Sequence, residues 1–144
     1  MEGYDENNVF GKIIAGEIPS HKVYEDDHTL AILDAFPVCE GHTLVLPKSK
    51  GYANIAEMPA DEVAALFQTV SKVSDAVRKA FNADGINIVQ NNGSAAGQVV
   101  FHVHVHIIPR FKDDGLKLQA PPSSKSMIEA DAAGKLLSAI KPHL

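Results

Sequence analysis

An α+β domain on an antiparallel sheet of about five strands is the fold class this sequence predicts. Three observations carry it: short apolar runs follow one another in hairpin-like succession, one long segment with helical periodicity interrupts them, and turn residues separate the pieces. The 144 residues, 45% hydrophobic and 22% charged, suit one globular domain able to bury a core without staples.

Phe10, Ile13 and Ile14 have helical spacing and predict a short N-terminal turn of helix, ended by Gly16 and Pro19. Lys22–Glu25 and Thr29–Asp34 read as two strands, with Asp26-Asp27-His28 as the hairpin turn between them. His42–Pro47 reads as a third strand, entered through Gly41 and closed by Pro47. The longest periodic segment starts at Pro59, since proline is tolerated in a first helical turn, and runs to about Phe81. Within it Val63, Leu66, Phe67, Val70, Val73, Val77 and Phe81 draw one apolar stripe suited to covering a sheet. Asp61 and Glu62 near its start and Arg78 and Lys79 near its end complement the helix dipole. Gly85–Gln90 and Phe101–Ile108 read as the fourth and fifth strands, and Met127–Ile140 as a terminal helix. No long linker divides the chain, so residues 1–144 read as one domain, with 120–144 as a C-terminal extension that opens on Ala120–Ser126.

Composition excludes several classes of function. Nothing approaches the ~18 consecutive apolar residues that a membrane span requires. The acidic, polar start Met1–Asn8 is unlike a secretory signal, so a cytoplasmic protein is expected. The single cysteine, Cys39, forms no internal disulfide and no cysteine-based zinc site, and is expected to be a small, partly buried filler. The formal net charge of -5, with Arg78 and Arg110 as the only arginines, argues against a nucleic-acid partner. A pocket lined by amides and histidines can still hold one small phosphate ester.

Chemistry concentrates in Phe101-His102-Val103-His104-Val105-His106-Ile107-Ile108-Pro109. In an extended strand successive side chains point to opposite faces, so His102, His104 and His106 line one face and Val103, Val105 and Ile107 the other. Three readings stand. As core histidines, three neighbouring imidazoles would each need buried partners, which is costly. As a metal site the row needs further ligands; His42 could supply one, but no cysteine or carboxylate pattern falls beside the row. As a nucleophilic site, one imidazole attacks phosphorus while its neighbours hold charge and protons, chemistry suited to a side chain that titrates near neutrality. Asn91 and the small-residue loop Gly93–Gln98, immediately before the row, are expected to offer main-chain amides that cradle an oxyanion.

The stretch His102–Ile108 resembles the signature of the histidine triad (HIT) family, three histidines separated by single apolar residues. Phe10–Ile14, Glu17-Ile18-Pro19, Glu25–Asp27, His42–Lys48 and Gly93–Gln98 resemble family segments in the same order. The likeness points to the Hint branch and its bacterial relatives, nucleotide hydrolases that split adenosine 5′-phosphoramidates. It implies a HIT-like sheet with one long helix and shorter terminal helices, a homodimer, a small-molecule nucleotide substrate, and no cofactor or metal.

By the same resemblance His104 is the nucleophile, oriented by the main-chain carbonyl of His102. His106 contacts the phosphate and assists the leaving group, and His102 and His42 complete the imidazole cluster. Asp34 binds the ribose hydroxyls, Asn91 and Gln98 add polar contacts, and Phe10, Ile13 and Ile18 form the slot for a purine base. Val99 stands where Hint-like members commonly carry a hydroxyl residue, which removes a side-chain contact to the leaving group. Asn8 and Gly11 stand where some bacterial relatives carry a zinc-binding C-x-x-C pair, so that zinc is expected to be missing. His106, where transferases of the superfamily place glutamine, favours hydrolysis. Diadenosine polyphosphate hydrolysis, or nucleotide binding with incidental turnover, are the other functions compatible with the resemblance.

Overall fold

A computed structural model of the chain describes residues 1–49, 51–118 and 127–144. Its elements are α1 (Val9–Ile14), β1 (Lys22–Glu25), β2 (Thr29–Leu33), β3 (Thr43–Pro47), α2 (Ala60–Phe81), β4 (Gly85–Val89), β5 (Val105–Arg110) and α3 (Ala130–Ile140). Five strands form one antiparallel sheet in the order β1-β2-β3-β5-β4, with α2 inserted between β3 and β4. This is the α+β architecture that the succession of short strands around one long helix implies. Ala120–Ser126, expected to open the C-terminal extension, lies outside the described residues; α3 beyond it is shorter than expected and exposed along nearly all its length.

The two faces of the sheet bury different things. Ala31, Val45, Val103, Val105 and Ile107 face α2 and pack on its Leu66, Val70, Val73 and Val77. Each of these valine, leucine and isoleucine side chains contributes on the order of 1.5–3 kcal/mol when fully buried. Phe67 is the exception in the predicted stripe: it is 39% exposed, while Thr69 takes a buried place and shares a 2.7 Å hydrogen bond with Thr29 on β2. The opposite face carries Leu30, Ile32, Leu44 and Leu46, capped by Phe10, Ile13 and Ile14 of α1. Strands β2 and β3 are therefore covered on both sides, which is why they read as nearly continuous apolar runs.

One expected boundary is corrected. The fifth strand was expected from Phe101, but ladder pairing starts at Val105, opposite Val45. Continued backwards, the register would set Val103 against Pro47, which has no N–H to give; Val103 N–H turns instead to the carbonyl of Tyr52 at 2.8 Å. The backbone nevertheless stays alternating: Val103 joins the α2 core while His102 and His104 are buried outside it.

Candidate active site

Alternation along three adjacent strands delivers the site. Leu44 pairs with His106 on the α1 side of the sheet, so His42, two residues before Leu44, falls on that side beside the histidine row. Asp34 follows β2 with the parity of Leu30 and Ile32, and its N–H donates to the carbonyl of His42 at 3.0 Å. The structure thus brings together Asp34, His42, His104 and His106.

Hydrogen bonds assign a proton to each imidazole. His104 Nδ1 lies 2.7 Å from the main-chain carbonyl of His102, an acceptor only, so Nδ1 carries the proton and Nε2 keeps its lone pair. Val38 N–H donates to His42 Nδ1 at 3.2 Å, which places the His42 proton on Nε2. That Nε2 donates in turn to His106 Nδ1 at 2.9 Å, leaving His106 with an N–H at Nε2. His102 Nε2 donates to the Pro47 carbonyl at 3.3 Å, and its Nδ1 accepts from the hydroxyl of Tyr4 at 3.1 Å. These partners leave an Nε2 lone pair on pocket-lining His104 and an Nε2–H on pocket-lining His106.

Burial keeps the cluster uncharged near neutrality. Loss of solvation pushes His102 down to about 4, partly opposed by its bond to the Pro47 carbonyl. His106 falls to about 4 as well, from burial first and then from the neighbouring His104 and His42. His104 and His42 are lowered by burial in the same way, with Asp34 working against the shift in both.

A pocket of about 580 Å³ opens over this cluster, with His104, His106, Asp34, Phe10 and Ile13 in its wall. The Phe10 ring packs against His104 with centroids 4.9 Å apart. No lysine or arginine lines the pocket among the described residues. Pro19, Ser20, His21 and Phe36 line it without having been anticipated; they sit in connections after α1 and β2, where no periodic pattern exists to point to them.

Other expected contacts are placed elsewhere. Ile18 is half-buried but outside the pocket wall, where Pro19 and Ser20 take its place. His102 and Asn91 also lie outside the wall. Gln98 is buried with every polar atom engaged internally: Oε1 accepts from Gly93 N–H at 2.7 Å, and Nε2 donates to the carbonyls of Ala53 and Val100. The loop amides behave likewise. Those of Ala96, Gly97 and Gln98 donate to carbonyls within the loop, and that of Ser94 to Glu2, so the segment Gly93–Gln98 is not an open amide cradle. Gly97, at φ 89, reverses the chain there, and the pocket wall receives Gly97, Val99 and Val100. Val99 N–H has no hydrogen-bond partner among the described residues, and its side chain is 84% exposed. Cys39 is half-buried with its Sγ 3.5 Å from the Pro109 carbonyl, as a filler would be.

Asp34, His42 and His106 offer ligand atoms within 4.8 Å of one another, the spacing of a metal set. The proton pattern does not fit a cation. Because Val38 N–H fills the Nδ1 lone pair of His42, the proton sits on Nε2, the atom that would have to ligate. Nor do Asn8 and Gly11 fit the zinc of the C-x-x-C relatives: Asn8 Oδ1 caps α1 by accepting from Gly11 N–H at 2.8 Å, and Gly11 has no side chain to ligate with.

A family model, the HIT domain, matches residues 15–113, a span that includes Asp34 and all four clustered histidines. The chain belongs to the HIT family. It is 44% identical over 136 residues to adenylylsulfatase HINT3 of Arabidopsis thaliana, covering 94% of this chain and 68% of that protein. A HIT family protein from Bacillus subtilis, solved by crystallography, superposes with a TM-score of 0.88 at 42% identity, covering 96% of this chain and 98% of that one. A histidine triad nucleotide-binding protein from Candida albicans superposes at 0.82 with 35% identity, covering 95% and 96%. Phe10 and Ile13 of α1 lie just before the matched span and supply one wall of the pocket.

Proposed function

We propose that this HIT protein is a nucleotide hydrolase that cleaves purine nucleoside 5′-phosphoramidates or related nucleotidyl compounds through a covalent nucleotidyl intermediate on His104. The observation that carries the reading is the 2.7 Å bond from His104 Nδ1 to the His102 carbonyl, which leaves the Nε2 lone pair of a pocket-lining imidazole as the nucleophile. Attack forms the Nε2–P bond and breaks the bond from phosphorus to the leaving group. The carbonyl of His102 stabilises the positive charge that His104 gains. His106 Nε2–H hydrogen-bonds the leaving nitrogen, which takes up a proton from solvent water and departs as the neutral amine; a second water then attacks phosphorus, loses its proton to solvent and releases the nucleoside monophosphate from His104.

Around this centre Val99 N–H donates to a non-bridging phosphate oxygen, Asp34 accepts from the ribose hydroxyls, and Phe10 and Ile13 flank the base. Asp34 Oδ1 already accepts from Phe36 N–H at 2.8 Å, but a carboxylate has capacity for further donors. The Arabidopsis relative's name, adenylylsulfatase, supports an adenylyl group as the part transferred to the enzyme. Diadenosine polyphosphates fit less well, since their leaving groups carry several charges and the pocket wall holds no lysine or arginine. The protein works as a homodimer in this reading, two copies meeting through α2 and the edge strand β4.

The test is a turnover panel of adenosine phosphoramidate, adenylyl sulfate and diadenosine polyphosphates, run with and without a strong chelator. The expected result is turnover of the phosphoramidate above the polyphosphates, unchanged by chelation. Nucleotide binding without turnover of any member would contradict it and leave a binding module.

A further inference from the structure

The geometry points to Tyr4 as a positioning residue for the histidine row: its hydroxyl holds the His102 ring, and through that residue the carbonyl that orients His104. His102 is 1% exposed and does not line the pocket, so its contribution is indirect. Its Nε2–H is committed to the Pro47 carbonyl, which leaves Nδ1 as a buried lone pair in need of a donor. Tyr4 Oη, 3.1 Å away, is that donor. The two rings lie with centroids 5.5 Å apart, and Phe10 packs edge-on to His102 from the side that also touches His104.

The backbone is shaped around this tyrosine. A side chain on Gly51 would run into the ring at Cζ and Oη, and a Cβ on Gly11 would stand 3.3 Å from Oη. Gly11 lies inside α1, where glycine costs ~1 kcal/mol relative to alanine, so the room it leaves for Tyr4 gives it a packing reason. Asn8 N–H returns to the Asp5 carbonyl at 3.1 Å and turns the segment back over the helix. At its other end the Glu2 carboxylate takes the N–H and hydroxyl of Ser94. Residues 2–8 are thus a strap that ties α1, His102 and the loop carrying Gly97 and Val99.

The inference is tested with Tyr4→Phe, which keeps the ring and removes only the donor, and Tyr4→Leu, which removes both. The first readout needs no substrate: exchange with solvent of the His104 Nδ1 proton, followed by imidazole 1H–15N NMR. It should be several-fold faster in both variants than in the unmodified protein. The second rests on the function proposed above: the single-turnover rate of nucleotidylation should fall roughly three- to tenfold, with the Kd for AMP within twofold. Equal proton exchange in all three proteins, or a Kd that weakens as much as the rate falls, would overturn the inference. Absence of turnover in the unmodified protein would instead refute the proposed function, and proton exchange alone then decides the role of Tyr4.

Discussion

His42 Nε2 lies 2.9 Å from His106 Nδ1, and this contact sets which nitrogen of His106 is left to carry a proton in the pocket. His42 can donate there because Val38 N–H occupies its other nitrogen. Substituting His42→Ala frees His106 to place its proton at Nδ1, where it is useless to a leaving group. A loss in kcat of roughly ten- to a hundredfold is expected, with AMP affinity within about threefold, since a hydrogen bond to charge developing on the leaving group contributes about 1.5–3 kcal/mol. Steady-state kinetics paired with calorimetric AMP binding measures both; an unchanged kcat would contradict the relay.

Stability should depend on pH through the same burial. His102 falls to about 4 in the folded protein against about 6.5 in an unfolded chain, so between these values the unfolded state binds more protons. Stability is then full above about 6.5 and declines as pH falls towards 4, by up to ~1.4 kcal/mol per pH unit for this one group, with His106 acting in the same sense. Urea midpoints at pH 7.5, 6 and 5 should decrease in that order; a midpoint at pH 5 equal to that at 7.5 contradicts the assignment.

The outline of this site was readable because it depends on alternation. The parity of His102, His104 and His106 held although Val103 binds Tyr52 rather than a ladder partner, because an extended backbone keeps its period without pairing. The mutual arrangement of Asp34 and His42 required knowing that β2, β3 and β5 are neighbours, which the family likeness supplied and periodicity alone did not. Gln98 and the loop amides were misjudged for a physical reason: composition shows that amides are exposed to closure, not that the loop closes on itself. Tyr4 left no pattern at all, since its contact with His102 spans 98 positions.

The base slot gives a further expectation. Phe10 and Ile13 cannot read a hydrogen-bonding edge, so the pocket should select on stacking area and size. Adenosine and guanosine phosphoramidates should show kcat/KM values above the matched cytidine and uridine compounds, by roughly tenfold. Equal values for adenosine and cytidine would mean that the base lies elsewhere.

Association can be read directly. Edge strand β4 presents Ile88 at 43% exposure and α2 presents Phe67 at 39%, apolar surface beside an unpaired sheet edge. Light scattering at micromolar concentration should give twice the 15.4 kDa chain mass. A mass of one chain would contradict a dimer through this face.

The covalent step on His104 is the centre of the account, and trapping it is the most direct measurement. Rapid mixing with an adenosine phosphoramidate, acid quench and intact-protein mass spectrometry should show a species heavier by one nucleoside monophosphate residue, strengthened in His106→Ala if its hydrolysis slows, and mapping to the peptide that contains His104. In His104→Ala the adduct should be absent, turnover should fall by several powers of ten, and AMP binding should persist. No adduct in any form of the protein, together with near-full activity in His104→Ala, would contradict nucleophilic catalysis by this residue.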